Sequence, residues 1–183
     1  MSEKLRYFCA ILAAVLLSAF DQLTKHLAVH SLADGKVIRI IPGVLELTLV
    51  FNTGAAFGLG QGGQMLFTAM AFLISVGVLI WLYRSIRGAG GFLRQAALVL
   101  ILAGALGNAL DRIRWHYVID FIYIRLIDFP VFNVADICVT VGCVLLLLDM
   151  VVGDKGSVES REWRVELHRE LRAELHRVWS LES

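Results

Sequence analysis

Asp120 and Asp136 are the residues whose type and setting could do chemistry, since each lies in a strongly apolar stretch of the chain. A carboxylate in or beside hydrocarbon is costly to keep, so it faces a partner or a water-filled cavity and marks a functional site by default. Two carboxylates close together favour a shared proton, because both cannot ionise cheaply, and such a pair can supply a base and an acid to one reaction. Acid–base chemistry is what this suggests. A simpler reading of Asp136 stands beside it. Asn133-x-x-Asp136 at the start of an apolar run is also the pattern of a helix N-cap whose acidic third residue satisfies free amides.

The elements that must position these residues follow from the solvent. Of 183 residues, 58% are hydrophobic and 18% charged, and the mean hydropathy is +0.72. That is far too apolar for an ordinary soluble domain of this length, so the solvent is lipid. A net charge of +1 gives no basic field for nucleic acid, which excludes that class of partner. Cys9, Cys138 and Cys143 all fall in apolar runs without a framework spacing, and are expected to stay reduced and packed as small hydrophobes.

Four segments are long enough to cross a bilayer: 7–29, 65–83, 93–110 and 132–152, each near the roughly 20 residues that span about 30 Å. The first follows Lys4 and Arg6 as a cleavable signal peptide would, but its apolar run continues through Leu23, Leu27 and Val29 as a full span. The expected fold class is an all-α membrane protein, a four-transmembrane-helix bundle over 1–152. Lys4, Arg6, Arg84, Arg87 and Arg94 favour cytoplasmic N- and C-termini, although Lys36, Arg39, Arg112, Arg114 and Arg125 compete from the other side. Beyond Gly153, Trp163, Leu167, Leu171, Leu175 and Trp179 recur every four residues among Glu and Arg. A C-terminal amphipathic helix is expected over 153–183, resting on the membrane or taking a helical partner.

An even number of crossings decides which ends meet. The C-terminal ends of spans one and three and the N-terminal ends of spans two and four share one face, and the unusual polar residues cluster there. Asp21, Gln22 and Lys25 lie late in span one, and Asn52 lies before span two. Asn108, Asp111 and Arg112 close span three, and Asn133 and Asp136 open span four. Asp21 and Lys25 are four apart on one helical face and can neutralise each other; Asn108 and Arg112 repeat that spacing. Asp111 borders Arg112 and is read as half of an interfacial ion pair. Between Lys36 and Asn52, Val37–Ile41 and Leu45–Phe51 flank a Pro42-Gly43 turn, so a small extracytoplasmic β-hairpin is expected within 36–58. Asn52–Gly58 is small and flexible, suited either to close approach by a partner chain or to a plain turn.

Five blocks together resemble the lipoprotein signal peptidases, also called signal peptidase II. They are Asp21-Gln-Leu-Thr-Lys25, Phe51-Asn-Thr-Gly-Ala-Ala-Phe57, Gly104-Ala-Leu-Gly-Asn-Ala-Leu-Asp-Arg112, Val118-Ile-Asp-Phe121 and Phe132-Asn-Val-Ala-Asp136. Their order and spacing cover the chain from about Leu17 to Asp149. The resemblance implies an intramembrane aspartic endopeptidase of the bacterial inner membrane, with no cofactor. Its substrates would be diacylglyceryl-modified prolipoproteins, cut just before the lipidated cysteine near the periplasmic face. The catalytic dyad would be Asp120 and Asp136, and the positions that bind substrate or shape the site would be Asp21, Lys25, Asn52, Gly54, Gly104, Asn108, Arg112, Asn133 and Ala135. Which aspartate starts as the base is left open, because a coupled pair titrates as a unit.

Other chemistries fit less well. His26-x-x-x-His30 has the spacing of two zinc ligands but lacks the glutamate of a zincin and a third ligand. Cys138 with His116 lacks an activating cation, and no G-x-S-x-G or Walker loop occurs. A small transporter or channel would also bury polar residues between helices. It would need them at both membrane faces, whereas spans two and four become uniformly apolar toward the cytoplasm. A non-catalytic membrane scaffold is the third class, and in it Asp120 would be free to vary.

Overall fold

The computed structural model describes residues 2–54, 64–88, 90–151, 169 and 172. Four helices carry the apolar runs: α1 (Glu3–Ser31), α2 (Gln64–Arg87), α3 (Phe92–Trp115) and α4 (Val134–Val151). All four are long and apolar enough to cross a membrane, and the chain is a multi-pass membrane protein. The helices overrun the expected spans. α1 begins at Glu3, where Ser2 caps it by accepting the Leu5 N–H at 3.3 Å, and α3 runs on to Trp115. Apolar periodicity marks only the part of a helix that needs lipid, whereas backbone hydrogen bonding continues until a cap stops it. α4 starts later than expected, at Val134, because Phe132 pairs with a strand.

α3 is the central helix. Half of its apolar window is buried, against 17–22% for the other three. Leu98, Leu102 and Ala103 of α3 pack against Ala14 of α1 and Val78, Leu82 and Ile86 of α2. The outward side chains of α2, such as Phe72 and Leu73, stay two-thirds exposed and face the hydrocarbon. Small residues let the helices approach. A Cβ on Gly104 would collide with the Ala135 carbonyl oxygen, and one on Gly142 would lie 2.7 Å from Ile101 Cγ1. In lipid, such close packing replaces the hydrophobic drive between helices.

The expected hairpin is present and is part of a larger sheet. β1 (Ile38–Ile41) and β2 (Leu45–Asn52) turn at Pro42-Gly43, where Gly43 takes φ +74°. A third strand, β3 (Val118–Ile124), pairs antiparallel with β2, giving the order β1-β2-β3. β3 follows α3 after two residues. His116 adopts a left-handed conformation (φ 62°) and returns its N–H to the Arg112 carbonyl at 3.1 Å. The sheet rests on the end of α1 through Ala28, Leu32 and Phe121.

The described chain forms two compact units, Met1–Leu146 and Leu147–Ser183. The site lies entirely within the first. The expected amphipathic tail of the second falls almost wholly outside the described residues, and so does the Ala55–Gly58 part of the segment expected after the hairpin in the first.

Candidate active site

The site is assembled at the end of the bundle where α1 and α3 finish and α4 begins, with the sheet against it. Asp120 is the third residue of β3 and is 2% exposed. In the register Val50 faces Asp120 and Asn52 faces Val118, so Asn52 and Asp120 are diagonal neighbours on one face of the sheet. Asn52 Nδ2 accordingly donates to Asp120 Oδ2 at 2.9 Å. The Asn52 amide is itself oriented, because its Oδ1 accepts the Gly54 N–H at 2.9 Å. The strand supplies position and the turn supplies direction.

Asp136 reaches the same place along a different route. Phe121 and Ile122 both donate their N–H groups to the Phe132 carbonyl, at 3.0 and 2.8 Å, which lays the chain before α4 alongside β3. The next residue, Asn133, is the N-cap of α4. Its Oδ1 accepts the Asp136 N–H at 2.9 Å, and Asp136 Oδ2 accepts the Asn133 N–H at 3.1 Å. This is a reciprocal capping box. The capping pattern seen in the sequence is thus real, and it does not compete with placement in the site. The other oxygen, Asp136 Oδ1, accepts from Asn108 Nδ2 at 2.8 Å.

Asn133 joins the two carboxylates. Its side-chain Nδ2 donates to Asp120 Oδ1 at 2.7 Å, while its backbone N–H donates to Asp136. Burial pushes the Asp120 carboxyl up to about 6, opposed by the Asn52 hydrogen bond and aided by the charge of Asp136. The Arg112 guanidinium lies in the electrostatic range of Asp136, Asp120 and Asp111, and it donates to the Asn108 carbonyl at 3.4 Å.

Beneath the pair lies a buried ionic cluster. Lys25 Nζ is 2.9 Å from Asp21 Oδ2, 2.8 Å from Asp111 Oδ2 and 2.9 Å from Asn108 Oδ1. An ammonium has three N–H donors and no acceptor, and here each donor has a partner. Because the Asn108 oxygen takes Lys25 and Asn133 Nδ2 (3.1 Å), its NH₂ is left to face Asp136. Asp111 takes Lys25 of another helix as its buried partner, a contact that the reading of Asp111 beside Arg112 did not anticipate. Ala135 is wholly buried and gives its N–H to Asp21 Oδ1 at 2.8 Å. Gly104 and Gly107 touch the cluster only by lacking a side chain. A Cβ on Gly107 would lie 2.6 Å from Asp21 Oδ2.

The structure therefore brings Asp21, Lys25, Asn52, Gly54, Asn108, Asn133, Ala135, Asp120 and Asp136 into one connected network, with Arg112 beside it. Asp111 and Gln22, placed at this bundle end by the sequence but not among its site residues, join the network, with Gln22 donating to Asp111 Oδ1 at 2.7 Å, and the strand β3 was not expected. The signal for β3 is the β-branched and aromatic run Val118-Ile-Asp-Phe-Ile-Tyr-Ile124. Among the described residues no group of three or more His, Cys, Asp or Glu side chains could hold a metal ion.

Four membrane-crossing helices and a small sheet, closing over a pair of carboxylates tied by asparagines, one buried and one half-buried, define an integral membrane protein with a polar site at one bundle end. The chain belongs to the signal peptidase II family, whose model, described as signal peptidase (SPase) II, matches residues 13–152. Membership makes it a protease. It is 42% identical over 138 residues to a lipoprotein signal peptidase of Streptococcus pyogenes serotype M1, covering 75% of this chain and 90% of that protein. It is 43% identical over 145 residues to a lipoprotein signal peptidase of Coxiella burnetii (strain RSA 493 / Nine Mile phase I), covering 76% and 87%. The fold is similar to a bacterial membrane enzyme solved in meso at 2.3 Å, with TM-score 0.73 and 33% identity over 81% of this chain and 90% of that one. A second, solved in meso at 1.9 Å, gives TM-score 0.68 and 34% identity over 78% and 92%.

Proposed function

We propose that this protein is an intramembrane aspartic endopeptidase that removes the signal peptide from diacylglyceryl-modified prolipoproteins, cutting just before the lipidated cysteine. Asp120 and Asp136 are the catalytic dyad. The observation that carries this reading is that one residue, Asn133, donates to both carboxylates, through Nδ2 to Asp120 and through its N–H to Asp136. Two acids held from one residue can act together on one water molecule. The ionised member takes a proton from the water as its oxygen attacks the scissile carbonyl carbon. The protonated member gives its proton to the leaving amine as the C–N bond breaks. Asn52, Asn108 and Asn133 supply only N–H donors to the two carboxylates, which holds their oxygens in place without removing charge. Asp21, Lys25, Gly54, Gly104, Arg112 and Ala135 shape the site around them.

The protein acts in the bacterial inner membrane, with both termini cytoplasmic and the dyad near the periplasmic face. A lipidated cysteine keeps its acyl chains in the bilayer while the adjacent signal helix offers its scissile bond at the rim, so substrate enters sideways between helices. The test is purified enzyme with one precursor, with and without diacylglycerol on its cysteine, beside the Asp120→Asn and Asp136→Asn variants. The expected result is cleavage of the lipidated form alone and its loss in both variants. Cleavage retained by either variant removes that aspartate from the mechanism, and equal cleavage of both precursors removes the substrate assignment.

A further inference from the structure

Two carboxylates outside the dyad grip the backbone immediately before each dyad residue. Asp111 Oδ2 accepts the N–H of Ile119, which precedes Asp120, at 3.1 Å. Asp21 Oδ1 accepts the N–H of Ala135, which precedes Asp136, at 2.8 Å. The same ammonium, Lys25 Nζ, then clamps both gripping carboxylates, at 2.9 Å to Asp21 and 2.8 Å to Asp111. The two halves of the dyad come from different elements, the strand β3 and the helix α4, and this cluster is a fixed link between them.

We infer that Asp21, Lys25 and Asp111 form a jig that sets the separation of the two dyad carboxylates, with Asp111 the positioning residue for Asp120 and Asp21 that for Asp136. The inference rests on the reading of Asp120 and Asp136 as catalytic. Asp21, Lys25 and Asp111 are each 1% exposed, so they act through the backbone and not on substrate. Their charges matter as well as their shapes. Asp111 receives three donors, Lys25 Nζ and the Ile119 N–H at Oδ2 and Gln22 Nε2 at Oδ1. An asparagine there has one acceptor oxygen and cannot serve both sides. The absence of a side chain at Gly107 leaves room for the Asp21 carboxylate against α3. Displacing a reacting group by about 1 Å costs on the order of 10²-fold in rate, so a link of this kind has direct kinetic weight.

Asp111→Asn tests the inference, measured as kcat and KM for a lipidated precursor across the acid and neutral range, normalised to folded, monodisperse enzyme. The width of a kcat–pH bell reports repulsion between two coupled acids, and that repulsion weakens as they separate. The other charges facing the dyad, Arg112, Lys25 and Asp21, stay in place. A fall in kcat of about 10²-fold, KM held within about twofold, and a narrower bell are expected. Gln22→Met leaves the contacts at Asp111 Oδ2 intact but removes the donor that Gln22 Nε2 gives to Asp111 Oδ1, to Asp21 Oδ2 and to the Gly107 carbonyl, so it loosens both gripping carboxylates and should show a smaller narrowing with a kcat loss of about tenfold. A loss that only tracks the amount of folded protein, with the wild-type bell unchanged in both variants, overturns the jig. Asp120→Asn, run beside them, separates the two ideas: if it cleaves at the wild-type rate, the dyad itself falls and the jig with it.

Discussion

Replacing Asp120 with asparagine should abolish cleavage and at the same time make folding stability less sensitive to pH. Burial raises the Asp120 carboxyl from 3.8 to about 6. Between those values the folded protein holds a proton that the unfolded chain has released, so stability falls as pH rises through the window and is lowest above about 6. At about 1.4 kcal/mol per factor of ten, the full penalty is about 3 kcal/mol, of which roughly 1.3 kcal/mol develops between about pH 5 and pH 7. Asparagine cannot ionise and escapes it. Its amide NH₂ must face either Asn52 Nδ2 or Asn133 Nδ2, both donors, which costs about 1–3 kcal/mol at every pH. The absolute stability is therefore a poor readout, and the pH dependence is the signature. For a chain of this size the difference in Tm, variant minus wild type, should be more positive at pH 7 than at pH 5 by about 3–5 °C. Thermal unfolding of both proteins in one detergent at the two pH values measures it. A difference that is flat, or that shrinks toward pH 7, would refute the claim that Asp120 is buried at energetic cost.

Three further outcomes follow from the same geometry. The alkaline limb of kcat/KM, which reports the free enzyme, should have its inflection near pH 6, above the ordinary carboxylate range, where the coupled pair gives up its last proton. Asn52→Ala removes the donor to Asp120 Oδ2 and should lower kcat by roughly 10- to 10²-fold while the helices still insert, checked by single-turnover cleavage. Gly104→Ala drives a methyl into the Ala135 carbonyl and should destabilise by about 1–3 kcal/mol, whereas Gly77→Ala, with nothing within 4 Å, should leave Tm nearly unchanged.

The number of crossings and the end of the bundle where polar groups gather are legible in the sequence, because both depend on run length and on the parity of the spans. The Pro42-Gly43 turn and its β-branched flanks are legible for a similar reason, since local sterics decide them. What the sequence hides is rotation and partnership. Asp111 looks paired with its neighbour Arg112, but the turn of α3 points it at Lys25 of α1, and no local pattern encodes that angle. Val118–Ile124 is apolar on both faces, so alternation is lost and its pairing with a strand more than sixty residues earlier cannot be read locally. Asn133-x-x-Asp136 shows a different limit. Sequence offers a helix cap or a functional carboxylate as alternatives, whereas a carboxylate has two oxygens and Asp136 places them in different company.

The spacing of Asp21 and Lys25 also bears on how the protein is made. α1 leaves the ribosome before α3, so at that stage Lys25 has no carboxylate of Asp111 to receive it. Asp21, one turn earlier on the same helix and 2.9 Å from it in the folded protein, needs no other helix to reach it and can travel with it as a neutralised couple. Nascent α1 thus carries its own counter-ion during insertion, and the later arrival of α3 adds a second anion to a lysine that was never alone in the bilayer.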